Sequence, residues 1–125
     1  VLEGLSPDAF LALVSDALEG LPQAVHDALD NVEVMTQGWP SPEQMNYMEG
    51  GDRYGMLGLY EGIPLTDRAN YSMVLPDRVT LFQRPLESIC ANEQELAHEV
   101  QVTVVHELAH HLGWGDEEIQ RMGFG

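Results

Sequence analysis

The sequence contains no lysine and only five arginines, set against 21 aspartates and glutamates, for a formal charge of -16 over 125 residues. Such a surface repels nucleic-acid backbones and anionic membranes, so neither is expected as a partner. A single cysteine, Cys90, excludes an intrachain disulfide and reads as a small buried hydrophobe. There is no apolar run of membrane-spanning length and no basic start leading into an apolar stretch, which predicts a cytoplasmic protein. Repeats, low-complexity tracts and linkers are also missing. What remains is 44% hydrophobic and 21% charged residues, ordinary globular usage, in a length suited to one domain over residues 1–125.

Local patterns predict an α+β chain. Ser6, Pro7 and Asp8 open an amphipathic helix over 6–19, with Phe10, Val14, Ala17, Leu18 and Leu21 at helical spacing. A short helix over 22–29 follows, and then Val32, Val34 and Thr36 alternate as a strand over 32–36. Residues 37–55, rich in proline and glycine, read as a long loop with a helical turn after Ser41. Two more strands are expected near 56–60 and 79–83. From Asn92 to Leu112, the stripe Leu96, Val100, Val104, Leu108 and Leu112, widened by Val102 and Val105, marks a central buried helix. Gly113 ends it, and Asp116 is placed to cap a last helix through Met122.

Inside the long helix lies His106-Glu107-Leu108-Ala109-His110, an HExxH sequence. Four residues rotate a helix by about 400°, so the two imidazoles stand one turn apart on one face, within reach of one metal ion. Glu107 lies about 100° around from His106, placed to reach a water at that metal without ligating it. Catalytic zinc needs a third protein ligand and an open position. Gly113 allows a sharp exit, and Asp116, three residues on, can return its carboxylate; Glu117 and Glu118 are the rival third ligands. HExxH alone is expected in roughly one of fifty shuffles of this composition, and the full HExxHxxGxxD in on the order of one in ten thousand.

On these residues the chain resembles the zincin-like metallopeptidases, and among them a family of small bacterial zincin-like domains. The resemblance extends through Leu21-Pro22, the strand from Asn31 to Val34, Leu57 to Gly62, Pro76 to Phe82, Thr103 to Glu107, and the doubled His110-His111, and so spans essentially the whole chain. It implies a minimal zincin-like fold, a small mixed β-sheet packed on a central HExxH helix with flanking N-terminal helices. It also implies one zinc ion held by His106, His110 and Asp116, with Glu107 as the catalytic base. Two features depart from larger zincins of the metzincin kind. There is no methionine turn well downstream of the third ligand, and an aspartate replaces a third histidine, which lowers the Lewis acidity of the metal.

The expected function is therefore zinc-dependent hydrolysis of a peptide or protein substrate. The substrate could add as a strand to an exposed edge, Met56 to Tyr60 or Val79 to Phe82, and the acidic surroundings favour basic or neutral peptides. The alternative is a proteolytically silent metal-binding or protein-interaction module on the same fold. Other residues carry more ordinary expectations. His98 lies about 12 Å along the helix from His106 and cannot share its metal, His26 stands alone, and His111 turns away toward a second hydrogen-bonding group or the core. Tyr54, Tyr60 and Tyr71 are candidate oxyanion donors that also suit packing, Arg68 and Arg78 suit ion pairs, and Trp114 suits packing on the core.

Overall fold

The Ser6 hydroxyl accepts a hydrogen bond from the Ala9 N–H at 3.1 Å, and Pro7 follows as the first helical residue, which opens α1 (Pro7–Glu19) as its capping signals require. The computed structural model describes residues 2, 4–47, 51–62 and 76–124. Phe10, Val14 and Ala17 of α1 are buried, and α2 (Gln23–Ala28) adds Val25. The turn after Ser41 is α3 (Pro42–Met45), closed by a reciprocal capping box in which the Ser41 hydroxyl accepts from the Gln44 N–H and the Gln44 side chain accepts from the Ser41 N–H. A 3-10 turn (Arg53–Gly55) leads into the sheet.

Among the described residues the sheet has three strands in the order β1 (Val32–Gln37), β3 (Asp77–Phe82), β2 (Gly58–Glu61). β1 runs parallel to β3, from Val32 opposite Asp77 to Gln37 opposite Phe82, and β2 runs antiparallel to β3, with Tyr60 opposite Val79. β3 is thus the central strand, and its run Val79, Thr80, Leu81, Phe82 is buried throughout, as expected of a strand covered on both faces. This corrects the expectation that Val79 to Phe82 is an open edge; the outer strands are β1 and β2. The expected strand near 56–60 begins at Gly58, although the Leu57 carbonyl already accepts from the Phe82 N–H at 3.0 Å.

β3 stops at Phe82 because the chain turns directly into α4 (Gln83–Ser88), a helix that the strand-like reading of residue 83 missed. Pro85 sits in its first turn, where the missing N–H would have no partner in the helix. Within α4, Glu87 is buried and its carboxylate accepts from the Leu5 N–H at 2.8 Å, Gln83 Nε2 at 3.1 Å and Arg84 at 2.8 Å. These bonds fasten the segment before α1 to the core.

Asn92 caps α5 (Glu93–Leu112) by accepting from the Glu95 N–H at 2.9 Å. Leu96, Val100, Val104 and Leu108 are fully buried, together with Val105. Leu112, the last of the expected stripe, is 48% exposed, since the helix outruns the core in its final turn. α1 packs along α5, where Gln101 Nε2 donates to the Ala17 carbonyl at 2.8 Å, and the sheet covers another side, so the core lies between α1, α5 and the strands. Gly113 takes the left-handed conformation (φ 74°) and its N–H returns to the Ala109 carbonyl at 2.8 Å. The cap of α6 (Asp116–Arg121) is Gly115, not the expected Asp116, so the Asp116 carboxylate is not engaged in capping. Among the described residues, no helix is long and apolar enough to cross a membrane.

Candidate metal centre

β2 and α5 run side by side in the same direction, and their repeats match. Two residues of strand advance about 6.6 Å and four of helix about 6 Å, so contacts can recur step for step. At the first step, Gly58 lies so close to Thr103 that a Cβ there would come within 2.6 Å of Thr103 Cγ2. At the next, the Tyr60 N–H donates to Glu107 Oε1 at 3.0 Å. At the third, a Cβ on Gly62 would lie 3.9 Å from His111 Cε1. The Tyr60 N–H points out of the sheet edge because alternate residues of an outer strand direct their main-chain groups away from its partner.

The result is a groove of about 610 Å³ with the 55–60 segment as one wall and one face of α5 as the other, the latter presenting Glu99, Val102, Thr103, His106, Glu107, His110 and His111. His106, Glu107 and His110 therefore share one cavity, as the helical spacing requires. Burial pushes the Glu107 carboxyl above the usual carboxylate range, while the Tyr60 N–H and the imidazoles of His110 and His106 draw it back. With Oε1 held by Tyr60, Oε2 has no hydrogen-bond partner among the described residues. His110 likewise has none, whereas His106 Nε2 lies 3.0 Å from the Phe124 carbonyl oxygen.

Asp116 is exposed at the start of α6 and is not among the residues lining the groove. Glu117 and Glu118 share that exposed first turn, and Glu117 Oε2 is 4.0 Å from Arg121. Among the described residues, no group of three or more histidine, cysteine, aspartate or glutamate side chains is gathered closely enough to hold a metal ion. The donors nonetheless fit zinc in kind. Two neutral-capable imidazoles one helical turn apart, one of them without a partner, with a half-buried carboxylate between them, are borderline-soft and hard donors of the sort zinc takes.

Around this core, other expectations resolve. His111 stacks on the Tyr60 ring with centroids 3.9 Å apart, and its Nε2 lies 3.8 Å from Asp77 Oδ2, which accepts the Tyr60 hydroxyl proton at 2.7 Å. His111 thus packs on Tyr60 while also lining the groove, and the Tyr60 hydroxyl donates to Asp77. Tyr54 stands 50% exposed, edge-on to Trp39 at 4.9 Å, with Arg53 over the Trp39 ring. Arg78 pairs with Glu33 at 3.8 Å, while Tyr71 and Arg68 lie outside the described residues. Trp114 packs against the core and Cys90 is buried. The Tyr60 N–H, Asp77 and the Phe124 carbonyl were not found from the sequence. Only Gly58 carried a signal, since an isolated strand glycine marks a close approach.

A small mixed sheet whose antiparallel outer strand lies along an HExxH helix defines the class as a zincin-like fold. The sequence pattern of the zincin-like metallopeptidases matches residues 29–125, and the chain belongs to that family. Among solved structures, the chain is similar to TTHA0227, a conserved hypothetical protein of Thermus thermophilus, with 25% identity and a TM-score of 0.50 over 86% of this chain and 94% of that one. No curated protein matches the sequence.

Proposed function

We propose that the protein is a zinc-dependent peptidase whose substrate lies in the groove between β2 and α5. The observation that carries this reading is the Glu107 carboxylate, half-buried between two metal-competent histidines and fixed by a main-chain N–H. His106 and His110 would hold one zinc ion, with Asp116, whose carboxylate makes no cap hydrogen bond, as the third ligand. Zinc bound there would supply a Lewis acid and make a neighbouring water more acidic. Glu107 Oε2 takes a proton from the attacking water as its oxygen bonds to the scissile carbonyl carbon. The same oxygen hands that proton to the amine nitrogen as the C–N bond breaks. A carboxyl raised by burial suits both transfers, because its basicity lies closer to neutrality than that of an exposed glutamate. Among the described residues no strand pairs with the outer side of β2, where the Gly58 main chain would meet an extended peptide.

A second reading, a metal-binding or interaction module without turnover, is favoured by one observation, the position of Asp116 outside the groove. Incubation with a mixed peptide library in water enriched in oxygen-18, with zinc and then with chelator, separates the two. New C-termini carrying one heavy oxygen, formed with zinc and absent with chelator, are expected of the peptidase. Zinc binding without new termini in any peptide would overturn hydrolysis in favour of the second reading.

A further inference from the structure

The groove does not end at the histidines. Gly58 meets Thr103 and Tyr60 meets Glu107, and Met56 and Glu99, which precede them on the two walls, also line the groove. Glu99 lies eight residues before Glu107, about 12 Å along the helix, a distance that about four residues of extended peptide cover. Between them the lining is Val102, Thr103, Leu57, Gly58 and Leu59, with His106 next to Glu107. Glu99 has no hydrogen-bond or ion-pair partner among the described residues, and its neighbour Glu95 is held by accepting from the Ala91 N–H at 2.6 Å. The result is a carboxylate without a partner among the described residues, in the wall of the groove about four residues of extended peptide from Glu107, and shared with a smaller adjoining hollow that Glu95 and His98 also line.

The geometry points to Glu99 as a specificity-determining residue that selects peptides carrying an arginine or lysine about four positions from the bond to be cleaved. This inference rests on the peptidase reading for the identity of the reacting position, and on the groove alone for the binding preference. A basic side chain supplies the charge Glu99 lacks, and its aliphatic stem covers the apolar stretch between. An acidic side chain at that position meets repulsion, and the effect is local, unlike the general pull of an acidic surface.

The test uses the Glu107→Gln chain, which removes the base so that peptides are bound without turnover. Fluorescent nine-residue peptides of glycine and alanine, with one arginine moved through every position, are titrated and followed by anisotropy. One arginine position is expected to tighten binding about three- to tenfold over its neighbours, as for a partly shielded ion pair. Adding Glu99→Gln should abolish that gain, and adding Glu95→Gln should leave it. A uniform response to arginine position, or a preference that survives Glu99→Gln, overturns the assignment, as does failure of all the peptides to bind. Cleavage by the unmodified chain is scored separately. Turnover without dependence on Glu99 sinks this inference alone, whereas Glu99-dependent binding without turnover sinks only the peptidase reading.

Discussion

Gly58→Ala tests the contact that sets the width of the site. The added methyl would lie 2.6 Å from Thr103 Cγ2, about 0.8 Å inside the 3.4 Å at which ordinary contact begins, with the Thr80 carbonyl oxygen at 3.3 Å on another side. Thr103 is buried on α5, so its methyl has little room to retreat. Overpacking of this kind costs about 1–3 kcal/mol. Replacing glycine by alanine also restricts the unfolded chain, a gain of about 0.4–1 kcal/mol. The clash wins, and the net loss is about 1–2 kcal/mol, a fall in melting temperature of roughly 3–8 °C for a chain of this size. Thr103→Ser removes the opposing methyl at a cost of about 1 kcal/mol. In the double variant the alanine methyl fills the vacated space, so the two losses should fall short of additivity by about 1 kcal/mol or more. Urea unfolding of the four proteins, in chelator, reads this directly. A neutral Gly58→Ala, or strictly additive losses, would refute the close approach of β2 to α5 and with it the placement of the Tyr60 N–H on Glu107.

In metal-free protein, Glu107→Gln should be more stable than the parent at pH 7. The folded carboxyl titrates above its unfolded value, so the folded state holds its proton more tightly and the parent loses stability as pH rises through that interval. The advantage of the variant should vanish below about pH 4, where both forms are neutral; urea midpoints across pH check it, and a pH-independent difference would contradict it. Phe124→Ala should tighten zinc binding about two- to fivefold by calorimetry, because the loss of the ring loosens a carbonyl that competes for His106 Nε2; weaker binding would mean that the carbonyl orients the imidazole instead. Cys90, buried and with its thiol pushed up to about 11 from 9.0, should react with iodoacetamide at pH 8 about a hundredfold more slowly than in urea. Equal rates would mean that the thiol is exposed.

Much of the fold was legible because local signals agreed with burial. Ser6-Pro7, Ser41-Pro42, Asn92 and Gly113 mark helix boundaries through their own side chains or their lack of one, and α5 announced itself through a stripe that is buried nearly to its end. α4 was hidden because Gln83 and Glu87 are buried polar residues satisfied by Leu5 and Arg84, partners that helical periodicity does not reveal. β3 read as an edge because its six residues carry no trace of being flanked on both sides; strand order is a property of pairing, not of the strand. The histidine pair and Glu107 follow from helical rotation alone. The bond that fixes Glu107 comes from a main-chain N–H, which every residue but proline possesses, so no pattern of side chains could single out Tyr60. The same holds for the Phe124 carbonyl.

The proposed function rests on a division of labour in which His106, His110 and Asp116 would hold zinc while Glu107 would not. Zinc calorimetry on the parent chain and on His106→Ala, His110→Ala, Asp116→Ala and Glu107→Gln measures it most directly. One ion per chain is expected for the parent and for Glu107→Gln at similar affinity, with a loss of about a hundredfold or more in each of the other three. Unchanged affinity in either histidine variant would contradict the centre itself, and unchanged affinity in Asp116→Ala would transfer the third ligand to another residue.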